Sequence, residues 1–399
     1  MGRTNCNDGT MVKFYFDRIV DGKPYPNLAI HQAQPYTPEW REFSKKWPFS
    51  EPVHFLEYLE KESIEYQLVT TPENAIYPIS LSFFDFNVKW FDLINSAILS
   101  ALKAKTIKIW FLYSEGDNPY IIQDHLIQQC NSAGVDPAQI HFTIANSAAD
   151  RIKGFSYFAD DELLYALRNQ QPPVPFHSNP RSKKFTALSR AHKNWRAATM
   201  ATLWGKNLHT QGYFSYNTDV DINDTSMPLE QETFNGLDNT IQEFLSNCPF
   251  TADKHNSDTH NNHEITVEHL FSDSYLNLVL ETHLDTENSG GAFLTEKTFK
   301  PIKNNQLFII IGNAGSIELL RQMGYCVFDD VIDHRYDTIQ DPTERWLAAL
   351  AEFETLIGCD LHSIYIDCKS QLEHNSNLFT STKRQKLNRL LEKVTNESS

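Results

Sequence analysis

The sequence predicts an α/β protein built as two halves, each organised around a parallel sheet. Three observations carry this reading. Apolar runs of strand length alternate with segments of helical apolar spacing. That alternation starts twice, on either side of a proline-rich stretch. The chain has 399 residues, more than one hydrophobic core ordinarily serves. Strands that alternate with helices pair in parallel through crossover connections.

Residues 1–75 read as irregular, rich in proline and aromatics, with one helical pattern near 53–62. Residues 79–86 are an apolar run of strand length. Residues 89–104 set Trp90, Phe91, Ile94, Ile98, Leu99 and Leu102 at helical spacing. The segment 106–113, TIKIWFLY, is nearly continuous in apolar residues, as expected of a strand buried on both faces. Asn118-Pro119 opens the next helix with proline in its first turn, and Gly134 ends it. A short strand follows at 140–145.

Pro172, Pro173 and Pro175 mark the expected hinge, because three prolines so close continue neither a helix nor a central strand. After them the rhythm restarts. Strands are expected at 184–188, 212–216, 275–281, 307–312 and 326–328, and helices at 193–204, 237–245, 296–303 and 316–323, the last with Ser316 as N-cap. Residues 247–268 read as a polar surface loop, and 372–394 as a polar amphipathic helix that packs back across the hinge. The expected domains are 1–175, 176–371 and the tail 372–399.

Lys plus Arg number 35 against 51 Asp plus Glu, a formal net charge of −16. Such a balance repels polyanions at long range and argues against a general nucleic-acid binder. Six cysteines without a CxxC pair suit a reducing compartment. The first residues show no signal-peptide pattern, and no apolar run is long enough to span a bilayer, so a cytoplasmic protein is expected.

In open parallel sheets ligands sit beyond the carboxyl ends of the strands, where helices begin. Thr295 is placed to cap a helix starting with Glu296 and Lys297, just after a Gly-Gly pair. A helix start there is an anion site: Lys297 suits a phosphate, and Glu296 suits a ribose or sugar hydroxyl. Alternatively, Thr295 and Glu296 are no more than a cap and a stabilising charge. Arg190, Lys193 and Arg196 recur at i, i+3 and i+6 after the first strand of the second half, broadly on one helix face. Arginine forks and lysines neutralise a diphosphate where no metal does so, although a solvated basic face has the same spacing. Tyr216 ends the next strand on the same rim as a contact for a base or ribose. Glu115 and Asp117, beyond strand 106–113, are the candidate general bases for an acceptor hydroxyl. A plain loop that caps the helix at Pro119 is the alternative.

Glu281, the run Phe293-Leu294-Thr295-Glu296-Lys297, and Phe308-Ile309-Ile310-Ile311-Gly312 together resemble the donor-binding segment of fucosyltransferase-like GT-B glycosyltransferases. The continuation through Gly324-Tyr325, Asp333 and Tyr336-Asp337 resembles bacterial and phage-borne glycosyltransferases with the same core. The resemblance covers residues 278–336. It implies two Rossmann-like domains, Glu296 on the ribose or transferred sugar, Lys297 on the phosphates, and Glu281 lining the same pocket. Phe293 stands where those enzymes commonly carry tyrosine, and Gly312-Asn313-Ala314-Gly315 is a longer small-residue turn than theirs. The donor sugar is therefore open.

The function expected is transfer of a sugar from a nucleotide-diphosphate donor to a hydroxyl acceptor, with no metal and no other cofactor. The alternatives are a DNA-base glycosyltransferase of the phage type and a non-catalytic nucleotide- or glycan-binding module. Asp219-Val220-Asp221 is a DxD that would hold Mn²⁺ or Mg²⁺ on a diphosphate, but its surroundings read as an exposed turn, and it is the fallback metal site. His255, His260, His263 and His269 read as a solvated loop before a zinc site. Neither GxGxxG, a Walker A loop nor GxSxG is present.

Overall fold

The computed structural model describes residues 11–20, 23–25, 50–51, 54–81, 84–169, 171–221, 229–252, 266–285 and 289–396. The chain divides into two compact units, Met1–Asp160 with Lys383–Ser399, and Asp161–Thr382. Both are α/β with parallel sheets. Among the described residues no helix is long and apolar enough to cross a membrane.

The first unit contains β1 (Val12–Tyr15), β2 (Arg18–Val20), β3 (Lys23–Tyr25), β4 (Ser50–Glu51), α1 (His54–Lys61), β5 (Tyr66–Val69), β6 (Ala75–Leu81), α2 (Trp90–Leu93), α3 (Ser96–Lys103), β7 (Ile107–Tyr113), α4 (Pro119–Ala133), β8 (Ile140–Ile144) and β9 (Phe155–Tyr157). Its main sheet runs β5-β1-β6-β7-β8-β9, all parallel, with β4 antiparallel to β6. Strand β7 is buried on both sides, which accounts for a sequence apolar except at Lys108. Phe111 packs on Trp90 and Phe142, while Trp110 packs on Phe14 and Phe55. Helix α4 carries its signals as expected: the Asn118 side chain accepts from Tyr120 N–H, Pro119 sits in the first turn, and Gly134 closes the end at φ 68°.

Two expectations fail here. The described residues before 75 are not irregular, because β1 is an inner strand of the sheet and β5 its edge, while α1 lies where a helical pattern was expected; the rest of that stretch lies outside the described residues. A four-residue strand (VKFY) is too short for alternation to announce, and neighbours distant in sequence complete it. The expected helix 89–104 is two helices, since Asn95 Oδ1 accepts from Ala97 N–H at 2.9 Å and starts a fresh one.

The second unit contains α5 (Asp160–Arg168), β10 (Lys183–His192), α6 (Asn194–Gly205), β11 (Gly212–Asp221), α7 (Gln231–Ser246), α8 (Glu268–Ser272), β12 (Ser274–Leu280), α9 (Glu296–Lys303), β13 (Leu307–Ile311), α10 (Ser316–Gln322), α11 (Pro342–Gly358), α12 (Leu361–Asp367) and α13 (Lys369–Ser381). Its sheet runs β11-β10-β12-β13, all parallel. Every residue of β12 and β13 is buried, as their runs SYLNLVL and LFIII require.

The proline stretch lies against this second unit. Val174 N–H donates to Asn304 Oδ1 (3.0 Å), Asn305 Nδ2 donates to Val174 O (2.8 Å), and Phe176 stacks on Tyr365. Residues 326–328 are not a strand: Asn375 accepts from Cys326 N–H and donates to Cys326 O, both at 2.8 Å, so a side chain takes the bonds a neighbouring strand would make. The tail is two helices rather than one, α13 and α14 (Lys383–Asn396). Helix α14 belongs to the first unit, where Lys393 pairs with Asp150 at 2.6 Å. Gly315 (φ 82°), not Ser316, is the N-cap of α10.

Candidate functional site

Strand β10 pairs with β11 on one flank and β12 on the other, so successive crossovers leave it in opposite directions. The switch point lies between the carboxyl ends of β10 and β12, the place where open α/β sheets leave a crevice for ligands.

Three cationic side chains converge there. Lys193, the N-cap residue of α6, donates from Nζ to Thr282 O at 2.9 Å. Arg196, in the first turn of α6, donates from Nη2 to Glu281 O at 2.6 Å. Lys297, in the first turn of α9, donates from Nζ to Thr295 Oγ1 (2.9 Å) and Thr282 Oγ1 (3.3 Å). All three thus reach the two residues that follow β12. Lys193 and Arg196 are buried, whereas Lys297 keeps 29 % and Glu296 17 % of their side-chain surface exposed. Glu296 and Lys297 are therefore the reachable edge, and their charges lie 3.5 Å apart.

Glu281 holds this edge from behind. Its carboxylate is fully buried and accepts four hydrogen bonds. Oε1 takes Thr295 N–H (3.0 Å) and Thr298 Oγ1 (2.5 Å), and Oε2 takes Thr295 Oγ1 (2.7 Å) and Thr282 N–H (3.1 Å). A buried charge is tolerated when it is hydrogen-bonded this fully. Glu281 positions the start of α9 and does not present an open carboxylate. Thr295 caps α9 as expected, its side chain accepting from Lys297 N–H. Gly312 passes close by, and a Cβ there would stand 3.1 Å from Glu281 Cβ, so a side chain at this position would press on the Glu281 cluster.

The Gly312–Gly315 turn leads into α10, whose helix start is occupied from within. The Asp337 carboxylate accepts from Ile317 and Glu318 N–H (3.1 and 3.2 Å), and burial raises its pKa. Arg345, also buried, donates to Gly312 O (3.0 Å), Gln340 O (2.9 Å) and Leu284 O, tying together the turns beyond β12 and β13.

The expected single helix face of Arg190, Lys193 and Arg196 does not exist. Strand β10 stays paired with β11 as far as His192, so Arg190 lies in the strand and Lys193 at the helix cap. The Arg190 side chain lies outside the described residues. Tyr216 is fully buried, and its hydroxyl bonds His192 Nδ1 at 2.7 Å. The DxD lies in a strand and not a turn: Val220 and Asp221 pair with Ala191 and His192 at the end of β11. The side chains of Asp219 and Asp221, and His255, His260 and His263, lie outside the described residues.

Glu115 and Asp117 belong to the first unit, after β7. Glu115 is exposed. Asp117 Oδ2 accepts from Tyr113 Oη at 2.5 Å, and burial with this neighbouring carboxylate pushes the Tyr113 pKa well above its usual value.

Sequence reasoning missed Thr282, which receives both lysines, and Arg345. The three-residue recurrence of threonines at 295 and 298 with an acidic residue upstream was the available signal for the Glu281 cluster. Arg345 had none, since arginine in an amphipathic helix is ordinarily a surface residue. No family model and no curated protein matches the chain.

Proposed function

We propose that the chain is a GT-B-type glycosyltransferase that passes a sugar from a nucleotide-diphosphate donor to a hydroxyl acceptor without a metal. The convergence of Lys193, Arg196 and Lys297 on residues 281–282 at the switch point of the second sheet supports this reading most. Two helix starts, those of α6 and α9, add their positive ends.

In such a transfer the acceptor oxygen bonds the anomeric carbon, the bond from that carbon to the diphosphate breaks, and its electron pair leaves with the diphosphate. The three cations stabilise that developing charge. Glu296, beside Lys297, accepts hydrogen bonds from ribose or sugar hydroxyls. Glu115 or Asp117 takes the acceptor proton.

Calorimetric titration with GDP, UDP, CDP and ADP, with and without EDTA, tests the donor site. One nucleotide should bind saturably regardless of EDTA, and Lys297→Ala should weaken it by about 1.5–3 kcal/mol, the worth of a charged hydrogen bond. Equal affinity in wild type and Lys297→Ala would remove this assignment. Binding without hydrolysis or transfer of the matching sugar conjugate would make the chain a binding module instead.

A further inference from the structure

The first unit holds a separate concave site, at the opposite end of its sheet from Glu115 and Asp117. It forms where strands begin: Lys108 is the second residue of β7, Ile140 the first of β8 and Phe155 the first of β9. Helix α4 supplies Leu126 and Ile127 to its wall. The hollow measures about 660 Å³, within the range of small-molecule pockets, whereas cores are packed without such voids.

Its lining has two chemistries. Leu126, Ile140 and Phe155 are buried and apolar, and Ile127 leaves 37 % of its surface exposed at the rim. Lys108 and Lys153 are the ammonium groups of the wall, beside His141, which burial keeps uncharged at neutral pH, and the carboxylate of Asp136. Asp136 is itself held by Lys105 at 2.5 Å, and Lys153 also stabilises its charge. A rim where lysines outnumber carboxylates runs against a chain of net charge −16 and favours an anionic occupant.

We propose that this hollow binds a small amphipathic carboxylate, with its hydrocarbon part on Leu126, Ile127, Ile140 and Phe155 and its carboxylate on Lys108 and Lys153. Two ammonium groups supply charge-assisted hydrogen bonds to the head, and the apolar wall takes the tail out of water. The proposal uses no residue of the nucleotide site and stands apart from that reading.

Titration of the full chain with decanoate, decanol and decylamine tests it. Decanoate should bind saturably at one site per chain, with decanol and decylamine about tenfold weaker or more, the loss of one charged hydrogen bond. Lys153→Ala, on an exposed side chain, should weaken decanoate about tenfold while leaving decanol unchanged. Ile127→Asp should abolish binding of both in a chain of unchanged Tm. Failure of decanoate to saturate by about 1 mM, equal affinity for decanol, or full binding by a folded Ile127→Asp chain would overturn the proposal.

Discussion

At the residue scale, Glu281 is the most constrained group of the candidate site. Its four accepted hydrogen bonds come from Thr282, Thr295 and Thr298, so one carboxylate orders both the end of β12 and the start of α9. Glu281→Ala leaves those donors buried without partners and should destabilise the second unit by about 3 kcal/mol or more. Urea unfolding reads this as a lower midpoint at constant slope. Gly312→Ala drives a methyl toward Glu281 Cβ, which stands 3.1 Å away, and should cost about 1–3 kcal/mol. In the double variant with Glu281→Gly, which removes that Cβ, the penalty of Gly312→Ala should shrink, because the space is then free. Strictly additive losses would show that the two sites are not coupled.

At the scale of elements, starts and stops depend on side chains that reach across the fold. Helix α4 carries its own boundaries in Asn118-Pro119 and Gly134, and these were legible. Helix α10 does not: its cap comes from Asp337, whose carboxylate accepts Ile317 and Glu318 N–H. Asp337→Ala should cost about 1–2 kcal/mol, the usual worth of a cap. Residues 326–328 failed as a strand for a similar reason, since Asn375 serves both backbone groups of Cys326. Asn375→Leu, which keeps the same branched side-chain skeleton, should therefore cost about 2 kcal/mol or more by leaving that N–H and C=O unpaired. An unchanged urea midpoint in either variant would contradict these roles.

At the scale of the molecule, acid should destabilise the fold through a buried histidine. His141 is held near pKa 4, down from 6.5, first by burial and then by the charges of Lys108 and Lys393, with Asp150 opposing. The folded form is thus neutral where the unfolded chain already binds a proton. Stability is fully present above about pH 6.5 and is lost as pH falls toward 4, by up to about 3 kcal/mol. His334, lowered by burial, acts in the same direction, while Asp337, raised by burial, gains stability on protonation and acts against them. Urea midpoints at pH 7 and pH 5 measure the net slope, and a His141→Gln chain should show a shallower one. An identical slope in that variant would remove His141 as a cause.

Local pattern was enough to read the α/β class, the strands β10 to β13 and the helices α6, α7, α9 and α10 of the second unit, and the start of α9, but not α5, α8, α11 or α12. Those features rest on apolar periodicity and on capping within a few residues, both written in neighbouring positions. The short inner strand β1, the depth of Glu281, and the convergence of Lys193, Arg196 and Lys297 on residues 281 and 282 are of another kind. Each depends on partners far apart in the chain, such as Arg345 meeting Gly312 and Leu284. A buried polar group is stable only where such partners arrive together, and strand order is what brings them there.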